Sequence, residues 1–237
     1  MPGIDYGKEG PDTKGSQKWL RVLVNEYKPI FFREIVREMV RLNLNNIDQI
    51  EWLSPLKKDK YVEYSDSAFI NQLGVKLEHK ALVDFWPSGG PVWDGLAKTD
   101  KKDILLIEAK SHIGELRSTL RAKTTNSLRK ICQSLTQTQG FLGVESLLDW
   151  GTPFYQYTNR LAHLYFLREL NKLPAYLVFV YFINDPDMHG PSTREEWQGA
   201  LKLMKTLLGL SRHKLSKYMA DIFIDVNELQ PNLRDKP

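Results

Sequence analysis

A chain of 237 residues, 42% of them hydrophobic, is long and apolar enough to bury the core of one α/β domain with additions. The formal net charge is +4, and the single cysteine, Cys132, excludes an internal disulfide and a zinc site built from clustered cysteines. No stretch has the length and hydropathy of a membrane span or a signal-peptide core. We therefore expect a cytoplasmic protein with no membrane partner.

The first quarter of the chain is predicted to hold a tail and a helical extension. Residues 1–17 are rich in Gly, Lys and Asp, which is typical of a flexible tail. Helices are predicted from residue 19 to about residue 44, with one apolar face made of Phe31, Phe32, Ile35, Val36, Met39 and Val40. Because no Pro/Gly/Ser-rich linker follows, we expect residues 18–59 to pack on the main core rather than form a separate binding module.

The core itself, residues 60–237, is predicted to start with a helix over residues 61–74. Its apolar side chains recur at helical spacing, and Gly74 is a stop signal. Residues 81–86 form an apolar run that predicts a strand, and the turn cluster at residues 88–91 ends it.

Two further strands are predicted after that turn. Residues 91–96 form the first, and the four aliphatic residues 104–107, which lead directly into Glu108, form the second. The polar stretch 98–103 between them suits a hairpin connection. The two strands are therefore expected to pair in antiparallel fashion.

The hairpin brings charged residues together. If Lys101 lies near its tip, Asp94 lies opposite Glu108, and opposed Cβ atoms are about 4.5–5.5 Å apart, close enough for two carboxylates to share a divalent cation. Lys110 shares the face of Glu108, because residues two apart on a strand point the same way. This arrangement indicates a metal-dependent site that cleaves phosphodiesters. Asp84, a carboxylate inside a predicted apolar strand, could take the role of Asp94 instead. We prefer Asp94, because the strand that contains it adjoins the strand of Glu108.

Residues 111–150 are predicted to form a basic helical insert. Between residues 111 and 144 only Glu115 opposes five basic residues, a surplus equal to the net charge of the whole chain. The five are Arg117, Arg121, Lys123, Arg129 and Lys130. Basic residues beside such a site would attract a nucleic-acid backbone, whereas a solvated helix face is the structural alternative.

A crossover helix is predicted from residue 153 to about residue 171. It leads into the nine-residue apolar run 175–183, which is too short for a membrane span and predicts a buried strand. The start of this helix should then return near the carboxyl end of the Glu108 strand. Gln156 and Arg160, one turn apart on one face, are expected beside the site, where they would touch a phosphate or orient the attacking water. Surface or capping roles are the alternative.

The remaining residues complete the predicted order of elements. Residues 192–195 have capping-box spacing ahead of a helical apolar pattern, and residues 221–226 predict a last strand. From residue 60 onward, the predicted order is helix, three strands, helix, strand, helix, strand. This alternation predicts an α/β fold.

Asp94 and the run Glu108, Ala109 and Lys110 resemble the split signature of the PD-(D/E)XK nuclease superfamily, the restriction-endonuclease-like fold. Trp93 stands where the name of the signature has proline. The predicted elements between residues 60 and 228 agree with the superfamily core, αβββαβ with further α and β elements. The resemblance implies a central mixed sheet flanked by helices, here with N-terminal helices and a helical insert added.

The resemblance also implies an endonuclease-like hydrolase that uses Mg²⁺ or Mn²⁺. Asp94, Glu108 and the backbone carbonyl of Ala109 would bind the ion, and Lys110 would orient the attacking water. Glu63 matches a glutamate that family members carry on a helix before the first core strand, with Asp66 as its substitute. Nucleic acid is the implied partner, DNA ahead of RNA, and a homodimer is expected if both strands are cut. The residues expected to contact nucleic acid are Gln156, Arg160, Arg117, Arg121, Arg129 and Lys130.

Two other functions stay open from the sequence. The chain could be a catalytically inactive nuclease-like module that binds nucleic acid or a partner, because fold does not dictate activity. It could also be an assembly or regulatory protein whose basic helices bind a partner. The five histidines show no ligand-like spacing, so zinc hydrolysis is not expected.

Overall fold

A five-stranded mixed sheet organises the protein, in a computed structural model that describes residues 14–42, 44 and 47–230. The strands are β1 Ile50–Ser54, β2 Gly95–Thr99, β3 Ile104–Lys110, β4 Ala175–Ile183 and β5 Met219–Asp225. Their spatial order equals their order in the chain. The first three strands pair in antiparallel fashion, and the last three pair in parallel. The predicted α/β class with a mixed central sheet is therefore confirmed.

Helices cover both faces of this sheet. They are α1 Gly15–Glu26, α2 Lys28–Leu42, α3 Asp66–Leu73, α4 Leu82–Phe85, α5 Thr125–Leu142, α6 Tyr155–Tyr165 and α7 Arg194–Leu207. The π-helical turn Phe166–Leu170 extends α6, and 3-10 turns lie at Lys57–Asp59, Ile113–Leu116, Ser216–Tyr218 and Val226–Leu229. None of the described helices is both long and apolar enough to cross a bilayer.

The parallel strands β3 and β4 are buried along their whole lengths. A strand covered on both faces needs apolar side chains on both, which explains the unbroken aliphatic and aromatic runs that predicted these two strands. The chain between them passes through α5 and α6. The predicted crossover helix and the predicted parallel pairing are both confirmed.

The two faces of β3 belong to different layers of the core. Leu105, Ile107 and Ala109 pack with side chains of α1 and α2, whereas Ile104 and Leu106 pack with those of α3 and α5–α7. Because side chains alternate along a strand, Glu108 and Lys110 point to the second layer. The sheet thus directs the predicted charged pair toward α6.

Three predictions about the region before β2 are wrong. Residues 81–86 contain the short helix α4 instead of a strand. The strand that precedes β2 in the sheet is Ile50–Ser54, within the segment assigned to the helical extension. The helix predicted over residues 61–74 is shorter, Asp66–Leu73, although Gly74 caps it with a left-handed φ of 58° as expected. Short apolar runs do not distinguish a strand from a turn of buried helix.

The N-terminal predictions need two corrections. Residues 1–13 of the predicted tail lie outside the described residues, but α1 begins at Gly15, so residues 15–17 are helical. The predicted apolar face of α2 is only partly buried: Phe31 and Ile35 are fully buried and Phe32 is half-buried, while Val36 is 42% and Val40 96% exposed. The side chain of Met39 lies outside the described part. Both helices pack on the sheet.

The basic segment is helical only in part. Residues 111–124 consist of the 3-10 turn Ile113–Leu116 and extended chain, and α5 follows as Thr125–Leu142. Thr124 caps α5 by accepting a hydrogen bond from the backbone N–H of Ser127. The helix prediction is therefore wrong for residues 111–124, and also for residues 143–150, which follow the end of α5 as turns and irregular chain.

Truncation of the buried face of α2 should destabilise the fold strongly. Ile35→Ala removes a fully buried side chain and is expected to lower the free energy of unfolding by about 2–5 kcal/mol. Val40→Ala, five residues further on the same helix, should change it by less than about 0.5 kcal/mol. Urea unfolding measures both. Equal losses in the two variants would contradict this packing of α2.

Candidate functional site

Glu108, near the carboxyl end of β3, is the most deeply buried carboxylate of the site. Its Oε1 accepts a hydrogen bond from Lys110 Nζ, and its Oε2 accepts one from Arg160 Nε at 2.5 Å. Burial alone would raise the pKa of Glu108, but the charges of Arg160 and Lys110 outweigh it and lower that pKa. Glu108 is therefore held as a carboxylate inside the fold.

Arg160 joins α6 to the chain ahead of β2. Besides Glu108 it donates from one terminal nitrogen to the carbonyl of Val92 at 2.7 Å and from the other to Asn159 Oδ1 at 3.1 Å. Its guanidinium lies 4.8 Å from the ring centroid of Trp93. These contacts explain how an arginine is accommodated while almost completely buried. The prediction that Arg160 lies beside the Glu108 strand is confirmed.

Asp94 lies immediately before β2, not inside the strand predicted over residues 91–96. The hairpin register pairs Gly95 with Ile107, so one further step brings Asp94 opposite Glu108, as the predicted turn required. Asp94 Oδ2 accepts a hydrogen bond from the backbone N–H of Ala109 at 2.8 Å. Burial, followed by the charge of Glu108, raises the pKa of Asp94 to about 7, with Lys110 acting in the opposite direction.

Glu63 is the third carboxylate of this group. The predicted helical position is wrong, because Glu63 precedes α3 in extended chain, next to an isolated β-bridge between Tyr64 and Trp93. That bridge brings Glu63 toward Asp94. Burial raises the pKa of the Glu63 carboxyl, and Gln17 and Arg21 partly offset the rise.

The two substitutes considered for these roles lie elsewhere. Both carboxylate oxygens of Asp66 accept backbone N–H groups of a turn, from Gly89 at 3.0 Å and Gly90 at 2.9 Å. Asp84 is exposed on α4, so the strand that made it a rival of Asp94 does not exist. Asp94 and Glu63 are thus the carboxylates that lie with Glu108.

Lys110 completes the group. Besides Glu108, its Nζ donates to the backbone carbonyl of Ala109 at 3.1 Å. Burial would lower the pKa of Lys110, but Glu108 and Asp94 raise it, so the side chain stays an ammonium. The ammonium therefore bonds to two of the three groups predicted to bind a metal ion.

The start of α1 reaches this group, which no pattern in the sequence indicated. Gln17 Nε2 donates to Glu63 Oε1 at 2.9 Å, and Ser16 Oγ donates to Glu115 Oε2 at 2.8 Å. Glu115 Oε1 in turn accepts the backbone N–H of Ser111 at 2.9 Å, just beyond β3. Gln17 and Ser16 fall in the segment predicted to be a tail. These contacts span 46 and 99 residues of chain, and no local pattern signals them.

Gln156 lies one turn before Arg160 on α6. It lines a narrow cavity together with Glu108, Lys110 and Tyr181, and its backbone N–H donates to Ser118 Oγ at 2.7 Å. The buried hydroxyl of Tyr181 has no hydrogen-bond partner among the described residues. Gln156 therefore borders the charged group, as predicted for the start of the crossover helix.

The basic residues predicted to bind nucleic acid do not lie on a single helix. Arg129 and Lys130 lie on α5, where Lys130 Nζ donates to the carbonyl of Val83 at 2.8 Å. Arg117 follows the 3-10 turn. Arg121 lies in the extended chain after it and lines a cleft that also contains Lys123.

The donor atoms of the site suit a hard cation. The carboxylates of Asp94 and Glu108 and the carbonyl of Ala109 offer oxygen only, the ligand type that Mg²⁺ and Mn²⁺ favour. Within the described ranges no three His, Cys, Asp or Glu side chains are grouped to hold an ion, so a backbone carbonyl is needed as the third ligand. The raised pKa of Asp94 reflects burial first and the negative charge of Glu108 second, and a bound cation would stabilise the ionised carboxylate against both.

Comparisons with models of protein families, with curated proteins and with solved structures found no match to this chain. The geometry and charge of the site are therefore the observations that bear on its function.

Asp94 should contribute a loss of stability in the metal-free protein as pH rises from about 4 to about 7. His163 and His213, whose pKa values burial lowers to about 3 and about 4, contribute a gain over much of the same range. The pKa of Asp94 is about 7 in the fold against 3.8 for an ordinary aspartate. Between these values Asp94 in the folded state binds a proton that the unfolded state has lost, so the contribution of Asp94 to stability decreases with pH. The pKa of Glu63 is also raised and acts in the same direction. Urea unfolding in EDTA at several pH values measures the slope.

Asp94→Asn should remove the Asp94 contribution from this pH dependence and make the metal-free protein more stable than wild type at pH 8. Asparagine keeps an oxygen acceptor for the Ala109 N–H but carries no charge. Asp84→Asn, on exposed α4, is the control and should leave the slope unchanged. A slope unaffected by Asp94→Asn would contradict the assigned electrostatics.

Removal of the arginine that pairs with Glu108 should lower the free energy of unfolding strongly. Arg160→Gln leaves buried Glu108 with Lys110 alone, and loss of one partner of a buried ion pair costs about 3–5 kcal/mol of unfolding free energy. Arg37→Gln removes an exposed partner of Glu34 and should cost less than about 1 kcal/mol. Denaturant unfolding compares them, and similar losses would refute the role given to Arg160.

Proposed function

We propose that the chain is a Mg²⁺- or Mn²⁺-dependent nuclease of the PD-(D/E)XK type, an endonuclease-like hydrolase of phosphodiester bonds with DNA as its preferred substrate. The main support is the convergence of Glu63, Asp94 and Glu108 with Lys110 at the carboxyl end of β3. Burying three carboxylates close together is costly, and of the three only Glu108 is hydrogen-bonded to cationic side chains, Lys110 and Arg160, among the described residues. Perturbed pKa values of this kind cluster at functional sites.

The order and direction of the strands also support the proposal. The superfamily resemblance implies three strands, then a helix and a further strand. Here three antiparallel strands are followed by a crossover that contains α6 and by the parallel strand β4. Glu108 and Lys110 end the third strand. The helices before β1 are α1 and α2, and Gln17 of α1 bonds to Glu63, so a helix that precedes the first strand does approach the site.

The roles of the residues follow from their charges. Asp94, Glu108 and the carbonyl of Ala109 would hold the ion, and Glu63 would add negative charge beside them. A bound Mg²⁺ would polarise the phosphoryl oxygens and favour ionisation of the attacking water. Lys110 would orient that water by donating a hydrogen bond and would stabilise negative charge that develops on the phosphoryl group.

Arg160 and Gln156 would have different roles. Arg160 is buried and bonds to Glu108, Val92 and Asn159, so it would fix the orientation of the Glu108 carboxylate. Gln156, at the edge of the narrow cavity, would reach the phosphate or the water. A homodimer would allow both strands of a duplex to be cut.

A second candidate is a catalytically inactive module that keeps the fold and binds nucleic acid or a partner. One observation favours it: both oxygens of Glu108 already bond to cationic side chains. The charge of that carboxylate is therefore compensated without an added ion. The two candidates differ in their need for a divalent metal.

The nuclease proposal predicts that Asp94→Asn and Lys110→Met each lower Mg²⁺-dependent cleavage by at least about 10²-fold. The assay is cleavage of labelled duplex, branched and single-stranded DNA and RNA with Mg²⁺ or Mn²⁺. Asp84→Asn is the matched control and should keep wild-type cleavage. Wild-type rates in both site variants, with unchanged circular dichroism, would exclude the assignment.

Thermal stability separates the two candidates. A real metal site should stabilise the wild-type protein, by about 2.7 kcal/mol when Mn²⁺ is at 100 times its Kd, and Asp94→Asn should lose most of this effect. The inactive module predicts no stabilisation by Mn²⁺ in either protein, together with nucleic-acid binding that persists in EDTA. Calorimetric melting with and without Mn²⁺ distinguishes these outcomes.

A further inference from the structure

A second cleft lies beside the carboxylate group, with a volume of about 520 Å³. Its walls come from residues 87–89, residues 119–124, the first turn of α5 and the first residue of α6. Its lining includes two basic side chains, Arg121 and Lys123, the hydroxyl of Ser127 and the aromatic ring of Tyr155. We call it the α5–α6 cleft.

The α5–α6 cleft and the carboxylate group share the start of α6. Tyr155 lines the cleft, and Asn159 lies one turn further along α6. Asn159 bonds to Arg160, which bonds to Glu108. One helical turn advances about 5.4 Å. The cleft therefore begins about one turn from the residue that orients Glu108.

The cleft carries positive charge that is not compensated. Arg121 and Lys123 are exposed, and neither forms an ion pair with an acidic side chain in the part of the chain that the structure describes. No acidic residue belongs to its lining. The cleft thus offers two free cations to an anionic ligand.

A groove of similar size beside β5 is different. Its volume is about 500 Å³, but two acidic side chains, Glu38 and Asp221, line it together with four cationic ones. Lys205 pairs with Asp221, Arg41 pairs with Glu38, and the guanidinium of Arg194 lies 4.8 Å from the ring centroid of Phe223. The α5–α6 cleft is favoured over this groove as the place where a polyanion binds, because no acidic side chain lines the cleft.

Tyr155 adds an aromatic surface. Its side chain is half-buried, and burial raises the pKa of the phenol to about 12. The ring stays neutral at physiological pH and does not repel phosphate. A basic groove combined with an aromatic ring is the combination that binds single-stranded nucleic acid, because backbone charge is neutralised while a base stacks on the ring.

We propose that the α5–α6 cleft binds a single-stranded segment of nucleic acid that flanks the cleaved bond, with Arg121 and Lys123 on phosphates and Tyr155 beneath a base. The position next to a cleaved bond rests on the proposed nuclease function. Two observations favour the single-stranded form: about 520 Å³ is the volume of a small-ligand pocket, and a base that stacks on the Tyr155 ring must be free of a paired strand.

The test is fluorescence anisotropy with a 5′-fluorescein-labelled twelve-residue oligothymidylate in EDTA, so that no cleavage occurs. The double variant Arg121→Gln with Lys123→Gln should bind more weakly. The slope of log K against log salt concentration should also fall by about 1.4 in magnitude, because two phosphate contacts are lost. The control, Lys57→Gln with Lys58→Gln, removes two exposed lysines outside the cleft and should keep wild-type affinity and slope.

Tyr155 variants test the stacking surface. Tyr155→Phe keeps the ring and should bind oligothymidylate like wild type, whereas Tyr155→Leu should lose roughly 10-fold in affinity. Wild-type affinity and slope in the double basic variant would overturn the proposal. Tighter binding of a twelve-base-pair duplex than of the single strand would overturn it as well.

Failure of this proposal is distinguishable from failure of the nuclease proposal. If the cleft variants bind normally while Asp94→Asn abolishes Mg²⁺-dependent cleavage, the nuclease stands and the cleft assignment is wrong. If the cleft variants lose oligothymidylate while the wild-type protein cleaves no substrate, the cleft binds single strands and the nuclease assignment is wrong.

Discussion

The charge of Glu108 is the constraint on which the rest of the site depends. Its carboxylate lies on the middle strand of the sheet, where almost no solvent reaches it. An isolated buried carboxylate is so costly that it would be protonated instead. Lys110 from the same strand and Arg160 from α6 prevent this by bonding one oxygen each. The crossover helix is therefore fixed to the sheet by the charged group itself, and this sets the positions of Gln156 and Tyr155.

The fold shifts the pKa values of two carboxylates that face each other in one hairpin in opposite directions. The pKa of Glu108 is lowered by its two cationic partners, whereas the pKa of Asp94 is raised to about 7. Asp94 has the hydrogen bond of the Ala109 N–H but no cationic side chain bonded to it among the described residues. Glu108 is thus held as a carboxylate, whereas ionisation of Asp94 at neutral pH lowers the stability of the fold. A divalent cation would remove that cost, which connects the electrostatics of the fold to the proposed chemistry.

The sequence predicted those parts of the site that depend on local patterns. The apolar run before Glu108, the polar turn around Lys101 and two-residue alternation were enough to give the hairpin register and the contact of Arg160 with β3. Glu63 was predicted on a helix, but it lies in the extended chain before α3, because the helix starts only at Asp66. The contact of Gln17 with Glu63 was missed, since it joins residues 46 positions apart and depends on how α1 packs on the sheet.

The central claim is that the oxygens around Lys110 form a site for a divalent cation. The most direct test is a crystal structure of the protein with Mn²⁺, with the ion located by its anomalous scattering. We expect one strong peak within bonding distance of carboxylate oxygens of both Asp94 and Glu108, and no such peak in crystals of Asp94→Asn. Crystals of the wild-type protein at saturating Mn²⁺ with no peak between these carboxylates would contradict the account.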